Sequence, residues 1–404
     1  MKKEKLRKPK KYGSALKKIL FFILFLFMLT LTLSGAAHIY MINYTPSIGY
    51  HEIPFETLDP SMPAGEDIPI GEGYVPDVSG GKYAKRIENF YTFLIVGKDK
   101  VGMNTDVIML ISFNTATGRI AVMQIPRDTY IEVYGVSHKL NSVFAACYND
   151  AKRNKANDPT EAGMKEFVSV LQKNLNVKID YYAMMYLDGF KNIVDIIGGV
   201  PMNIPFRMYY DDPDQGLHID LYPGEQVLNG AKAEQFVRYR SGYIEGDVGR
   251  VDAQKLFITA MMKQIETNLT LAKIPQLAAE GIKNVSTSAP IGDIVYFGKA
   301  ILKTDMSDIT MFTMPGTDAR ANGDSGAWYY VMYRADTLKL INRYFNVYTD
   351  DITNDIFDIK HAFTDVCRPH INNIYNTESG AEIDDLVTSA DKVDKDGIKI
   401  PLLK

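Results

Sequence analysis

The chain has 404 residues, with 45 Lys and Arg against 49 Asp and Glu, and only two cysteines. Two cysteines cannot make a disulfide scaffold, and the six histidines are scattered, with no Cys/His spacing suited to zinc. The first 18 residues hold nine basic side chains and one acid, so the remainder, 36 basic against 48 acidic, carries a net charge of about −12. A body that acidic argues against nucleic acid as a partner.

Residues 1–18 read as a basic cytoplasmic tail. The run from Ile19 to Ile42 contains no Lys, Arg, Asp or Glu, long enough to cross a hydrocarbon core of about 30 Å as a single transmembrane helix. The positive flank precedes it, which predicts a cytoplasmic N-terminus and an exported remainder in a single-pass protein of the bacterial cell membrane. Ser34, Gly35, Ala36 and Ala37 resemble a signal cleavage site, but the apolar run continues past them, so a retained anchor is expected. Residues 43–90 are rich in Pro, Gly and acids and read as an extracytoplasmic linker.

From Tyr91 the pattern becomes regular. Phe93–Val96, Val107–Ile111 and Ile120–Met123 are short apolar runs with the character of buried strands, and 114–118 is a hairpin loop between the second and third. Helices are predicted over Leu140–Tyr148, Ala162–Leu175, Gly189–Ile197, Ala231–Arg238 and Val248–Ile265, the last strongly amphipathic, with a strand over 178–187. Strands and helices mixed over residues 91–346 predict an α/β fold, a layered α-β-α domain with a mixed central sheet. Residues 347–404 are charged and read as a loosely packed C-terminal extension.

Against the acidic background, arginines stand at element ends: Arg127 after Ile125 and Pro126, Arg238 and Arg240 around Tyr239, and Arg250 after a glycine-rich turn. Guanidinium groups keep their charge and fork onto phosphate oxygens, and several gathered together need an anion between them. A polyphosphate site is the leading reading. Arg238 and Arg240 diverge on a helix, so both serve one ligand only if the helix ends at the pair. Arg250 and Gln254 share a helical face. Lys139 and Asn141 stand near a helix N-terminus, where backbone amides favour anions, although Asn141 also suits a plain N-cap. Asp99 and Asp106 flank the turn between the first two strands, and close carboxylates beside a diphosphate suit a bridging hard cation such as Mg2+. Each is also compatible with a solvated turn aspartate, and Glu234 with an ordinary partner of Arg238.

The succession FLIVGKD (93–99), TDVIMLISFN (105–114), IPRDTYIEV (125–133), HKLNSVFA (138–145), DGFKNIVDIIGGVPMNIP (188–205), YPGEQVLNGAKAEQFVRYR (222–240) and GDVGRVDAQ (246–254) resembles the LytR–CpsA–Psr family, in order and spacing. The resemblance implies a membrane-anchored enzyme of the bacterial envelope. It would transfer a glycopolymer such as teichoic acid or capsule from a polyprenyl pyrophosphate carrier to peptidoglycan, leaving a phosphodiester. It further implies that Asp99 and Asp106 hold Mg2+ or Mn2+, that Arg127, Arg238, Arg240, Arg250 and Gln254 grip the pyrophosphate, and that Met184–Val200 helps to line a prenyl pocket. Two positions depart from the family pattern: Asn104 and Ala253 stand where many members carry Arg. Lys98, Lys100 or Lys139 would have to compensate, without the geometry of Arg. The departure feeds two alternatives, a non-catalytic prenyl-phosphate-binding scaffold or regulator, and a phosphatase acting on the carrier.

Overall fold

The computed structural model describes residues 44–46, 86–98, 103–133, 136–213, 216–243, 247–270, 272–320, 327–353 and 388–389. The expected tail 1–18 and membrane-spanning segment 19–42 lie outside them, as do most of the linker 43–90 and of the extension 347–404. Among the described residues no helix is long and apolar enough to cross a membrane. Two units divide the chain, Met1–Pro46 and Ser47–Lys404, and the elements below belong to the second.

The three apolar runs form β1 (Phe90–Lys98), β2 (Thr105–Asn114) and β3 (Ile120–Gln124), paired antiparallel in chain order. The β2–β3 hairpin closes where the Asn114 side chain accepts the Ala116 and Thr117 amides at 3.1 Å each and Gly118 takes a positive φ of 81°. A small hairpin of β4 (Tyr130–Val133) and β5 (Val136–Lys139) leads into α1 (Leu140–Arg153). Next comes α2 (Pro159–Leu175), capped by Asp158, whose carboxylate accepts the Thr160 and Glu161 amides at 2.8 and 3.0 Å. Strand β6 (Tyr181–Met185) joins β1 in parallel, and α3 (Leu187–Ile197) follows.

Four short strands come next: β7 (Val200–Ile204), β8 (Met208–Asp212), β9 (Leu217–Leu221) and β10 (Gly224–Leu228), paired β7 with β10 and β8 with β9. They lead to α4 (Gly230–Arg238), α5 (Asp247–Asn268) and α6 (Ile274–Asn284). The chain then returns through β11 (Val285–Thr287), α7 (Ile291–Ile301), β12 (Ile309–Thr313), the hairpin β13 (Gly316–Arg320) with β14 (Trp328–Met332), α8 (Arg334–Tyr344) and β15 (Thr388–Ser389). The main sheet runs β11-β6-β1-β2-β3-β12-β15, with β1–β6 and β3–β12 parallel and the other pairs antiparallel. It is the expected mixed sheet between helical layers.

The two faces of that sheet are covered unequally. On one, Leu94, Val96, Ile108, Leu110 and Met123 are fully buried with Phe144 of α1, Phe167 of α2 and Leu340 of α8. On the other, Phe113, Ile120, Val122, Ile309 and Met311 are buried, and Phe93, Met109 and Ile111 are partly buried along with Ile258 and Met262 of α5 and Ala300 and Ile301 of α7. There α7 is anchored at one end, where the Tyr181 hydroxyl donates to Asp293 at 2.7 Å and Phe297 meets Phe93 edge-on at 4.9 Å.

Helix α5 corrects the expectation of one apolar face. Ala253 and Phe257 are buried in a second core built by α3, α4 and β7–β10, whereas Ile258 and Met262 face the main sheet. A helix wedged between two cores is apolar on two sides, so its pattern is not that of a surface helix. In the segment Met184–Val200, Met184 is buried in the main core and Val194, Ile197 and Val200 in the second core, while Met185, Tyr186, Leu187, Phe190, Ile193 and Ile196 stay partly exposed. Cys147 is a free, buried thiol, pushed up to about 12 by burial; Cys367 lies outside the described residues.

Helices α1 and α2 cross at Gly163, where an added Cβ would lie 2.9 Å from the Tyr148 backbone N and Cα. Gly163→Ala should therefore lower stability by about 1–3 kcal/mol, as overpacking does. Chemical denaturation would read this as an earlier midpoint with unchanged slope, and an unchanged midpoint would show that the helices can part without cost.

Candidate anion-binding site at the sheet end

The site begins with a break in the β1–β2 ladder. Gly97 pairs with Val107 and Lys98 with Thr105, which leaves Asp106 as the extra residue of a bulge. A bulge re-aims its side chain out of the strand alternation, and Asp106 meets Arg127, at the exit of β3. Arg127 Nη1 donates to Asp106 Oδ1 at 2.8 Å. The turn that presents Arg127 is tied by the Thr129 amide and hydroxyl, both donating to the Pro126 carbonyl (3.0 and 2.6 Å), and by the Asn141 amide donating to the Arg127 carbonyl at 2.9 Å.

Arg238 is the last residue of α4, and Tyr239 is already extended (φ −65°, ψ 137°). The helix thus ends at the arginine pair, as two arginines serving one ligand require. Arg240 Nη2 stands 3.7 Å from the same Asp106 oxygen that Arg127 holds. Arg238 Nη1 donates to Glu234 at 3.0 Å, and Glu234 also lies 3.5 Å from Lys191 Nζ on α3. Arg250 is buried in the first turn of α5. Beside it, burial raises the Tyr243 phenol, so that ring stays neutral next to the guanidinium charge.

Gln254, expected to grip the ligand, has its amide engaged within the protein. Its Oε1 accepts from Gln124 Nε2 at 2.9 Å, and its Nε2 donates to the Val237 carbonyl at 3.2 Å. Both glutamines are buried. The chain Gln124–Gln254–Val237 ties the end of β3, the start of α5 and the end of α4, the three elements that carry the arginines. Sequence reasoning passed over Gln124; the available signal was a lone amide ending the apolar run Ile120–Met123. It also undervalued Glu234, which is largely buried and shared by two cations.

The remaining expected residues are placed as follows. Lys139 is the N-cap position of α1, without a side-chain cap, and its Nζ lies 3.3 Å from Asp128 Oδ1. Asn141 sits inside the first turn, two residues beyond the N-cap position. Asp99 and Lys100 lie outside the described residues, and Asn104 is exposed at the start of β2. Ala253 is buried among Phe236 and Phe257, so that position belongs to the second core and not to the anion site. Lys98 Nζ sits 5.4 Å above the Tyr186 ring.

Among the described residues no group of three or more His, Cys, Asp or Glu forms a metal cage. Asp106 alone fits a different arrangement, in which Mg2+ takes one or two carboxylates and completes its shell with phosphate oxygens and water.

A mixed sheet whose end brings Arg127 and Arg240 to one bulged aspartate, with Arg238 held by Glu234 and Arg250 buried at the start of α5, makes a candidate anion site on an α/β fold. The profile of the LytR_cpsA_psr family matches residues 77–346, and the chain belongs to that family. It is 27% identical over 212 residues to TagV of Bacillus subtilis (strain 168), named a polyisoprenyl-teichoic acid–peptidoglycan teichoic acid transferase, a match covering 51% of each chain. The chain thus spans about half the length of that relative. It is also 27% identical over 246 residues to the regulatory protein MsrR of Staphylococcus aureus (strain Mu50), covering 58% of this chain and 69% of MsrR. The crystal structure of Bacillus subtilis TagV aligns with a TM-score of 0.51 at 22% identity, covering 63% of this chain and 95% of that one. Protein gbs0355 from Streptococcus agalactiae aligns at 0.52 and 19%, covering 66% and 92%. These structures share the fold.

Asp106 occupies the place between two guanidinium groups that an anion would take. In metal-free buffer Asp106→Asn should bind inorganic pyrophosphate more tightly, by roughly two- to fivefold given the worth of partly exposed ion pairs. With Mg2+ present the order should reverse. Calorimetric titration in both buffers reads the crossover, and an Asn variant weaker in both would show that Asp106 does not compete with the anion.

Proposed function

We propose that the protein transfers a glycopolymer from a polyprenyl pyrophosphate carrier to a hydroxyl of peptidoglycan, working from the outer face of a bacterial membrane with its N-terminus in the cytoplasm. The observation that carries this reading is the span of α5. That helix sets Arg250 at the anion site and, eight and twelve residues on, sets Ile258 and Met262 over the partly buried Phe93, Met109 and Ile111. At 1.5 Å per residue, the charged end and the apolar stretch are about 12–18 Å apart along one rod. A ligand with a pyrophosphate head and a long hydrocarbon tail matches that polarity. TagV, by its name, acts on such a polyisoprenyl-linked polymer and on peptidoglycan.

The transfer itself is a phosphoryl displacement. The acceptor hydroxyl oxygen forms a bond to the phosphorus that bears the polymer, the bridging P–O bond breaks, and polyprenyl phosphate leaves. Arg127, Arg240, Arg238 and Arg250 neutralise charge on the bridging and non-bridging oxygens, the term that dominates such reactions. Asp106 is placed to exchange Arg127 for the hydroxyl proton or for a divalent cation. A bound Mg2+ or Mn2+, held by Asp106 and the pyrophosphate, would add charge neutralisation at the same oxygens. Lys139 and the first turn of α1 supply further positive potential at the rim.

The test uses the full chain with Mg2+, a lipid-linked glycopolymer and peptidoglycan oligomers, and follows polymer joined to glycan by mass spectrometry. Arg127→Ala should cut the transfer rate by roughly 10²–10³-fold, the usual cost of one charge-stabilising donor. Phosphate release without joined polymer would mean a phosphatase, and tight lipid binding without turnover would mean a scaffold. Met262→Trp should fill the half-sealed face and penalise long prenyl carriers more than short ones. Equal loss on both would place the tail elsewhere.

A further inference from the structure

The hairpin β8–β9 buries one face and leaves the other bare. Met208, Leu217, Ile219 and Leu221 point into the second core. The register Tyr209↔Asp220 and Asp211↔His218 puts these four residues on the opposite face, which continues into Arg207 and Tyr222. Tyr209 and Tyr222 are 54% and 58% exposed. Large rings held out in water make nothing in the core, and clustered exposed aromatics mark a contact surface.

This face is rigid. Arg207 Nε and Nη2 both donate to Asp220 Oδ1, at 3.2 and 3.1 Å. The same guanidinium lies 4.8 Å from the Tyr222 ring centroid and 5.4 Å from that of Tyr209, so it stacks between the two. The His218 ring stands edge-on to Tyr209 at 6.2 Å, with Nδ1 3.5 Å from Asp211 Oδ1. Two exposed rings are thus fixed around a clamped guanidinium and bordered by carboxylates and an imidazole. Pre-organised aromatic faces bind at little entropic cost. They suit the C–H faces of pyranose rings, while the border groups suit sugar hydroxyls.

Charge selects among sugars. The single guanidinium of the face is already engaged by Asp220, and Asp211 adds a further carboxylate. A phosphate-bearing polymer would be repelled there, whereas an uncharged glycan backbone would not. Position gives the direction. Phe206, immediately before Arg207, packs against Tyr239 at 5.8 Å and Tyr243 at 6.0 Å, and Tyr239 separates Arg238 from Arg240. The bare face therefore starts at the packing that supports the anion site.

We propose that the outer face of β8–β9, through Tyr209, Tyr222 and Arg207, binds the uncharged glycan backbone of the acceptor strand and leads its reacting hydroxyl to the arginines. The assignment of that strand as peptidoglycan rests on the transferase reading; the sugar-binding face itself does not. The experiment titrates the full chain in detergent with a hexamer of N-acetylglucosamine and, separately, with inorganic pyrophosphate, and measures the acceptor KM in the transfer assay.

The double variant Tyr209→Ala, Tyr222→Ala should bind the hexamer roughly tenfold more weakly, two ring contacts being worth that much. It should raise the acceptor KM by a similar factor and leave pyrophosphate affinity and melting temperature unchanged. Tyr→Phe at both positions should restore hexamer binding, since the ring faces carry the contact. Hexamer binding that depends on the rings, with no transfer by the wild type, would support the face and sink the transferase reading. Transfer with an unchanged acceptor KM in the double variant would overturn the face. So would no hexamer binding by the wild type, or a ring-dependent preference for the charged donor polymer.

Discussion

Like-charge repulsion sets the terms for this molecule. Arg127 and Arg240 approach one carboxylate oxygen at 2.8 and 3.7 Å, with Arg238 and Arg250 on the two elements beside them. Two unit charges about 4 Å apart repel by roughly 4 kcal/mol at the effective dielectric of a protein surface. The fold offsets that cost with Asp106, placed by a bulge, and with Glu234, which holds Arg238. An anionic ligand would take over part of this work. The electrostatic strain left between the guanidinium groups is what an anion would relieve, and the two acids offset it in the protein alone.

Holding such a site open requires that its walls cannot drift apart, and the walls come from distant parts of the chain. The buried link from Gln124 through Gln254 to the Val237 carbonyl ties them with two hydrogen bonds in a medium where unpaired amides are costly. Helix α5 adds a mechanical reason. Being packed into two cores at once, it cannot rotate to relieve the repulsion at its first turn without exposing Phe257 on one side or Ile258 on the other.

Much of this was legible in the chain because it depends on local chemistry. The strand runs, the β2–β3 hairpin, the helix ending at Arg238 and the position of Arg127 all follow from apolar periodicity and from residues such as Asn114, Gly118 and Pro126. What stayed hidden depends on tertiary neighbours. Met184–Val200 reads as apolar whether it lines a pocket or fills a core, and only the packing shows that Met184 and Val194 enter two different cores while Phe190 and Ile193 stay partly exposed. A glutamine such as Gln254 looks the same whether its amide faces a ligand or another glutamine. The outer face of β8–β9 was missed because alternating Tyr, Asp and His describes an ordinary exposed strand until Arg207 is seen to lock two rings.

Ala253 shows how far a family pattern can be read from sequence alone. An arginine there would seem to add a cation to the site, yet the residue is buried against Phe236 and Phe257, one turn along from Arg250. In this chain a guanidinium at that position would have to enter the second core or push α4 away from α5, and the charge would be uncompensated in either place. The small residue fits that core, one position before the glutamine that donates to the Val237 carbonyl. The change that reads as a lost cation is thus a change in the second core, whereas Asn104 stands exposed just before β2, the strand that carries Asp106.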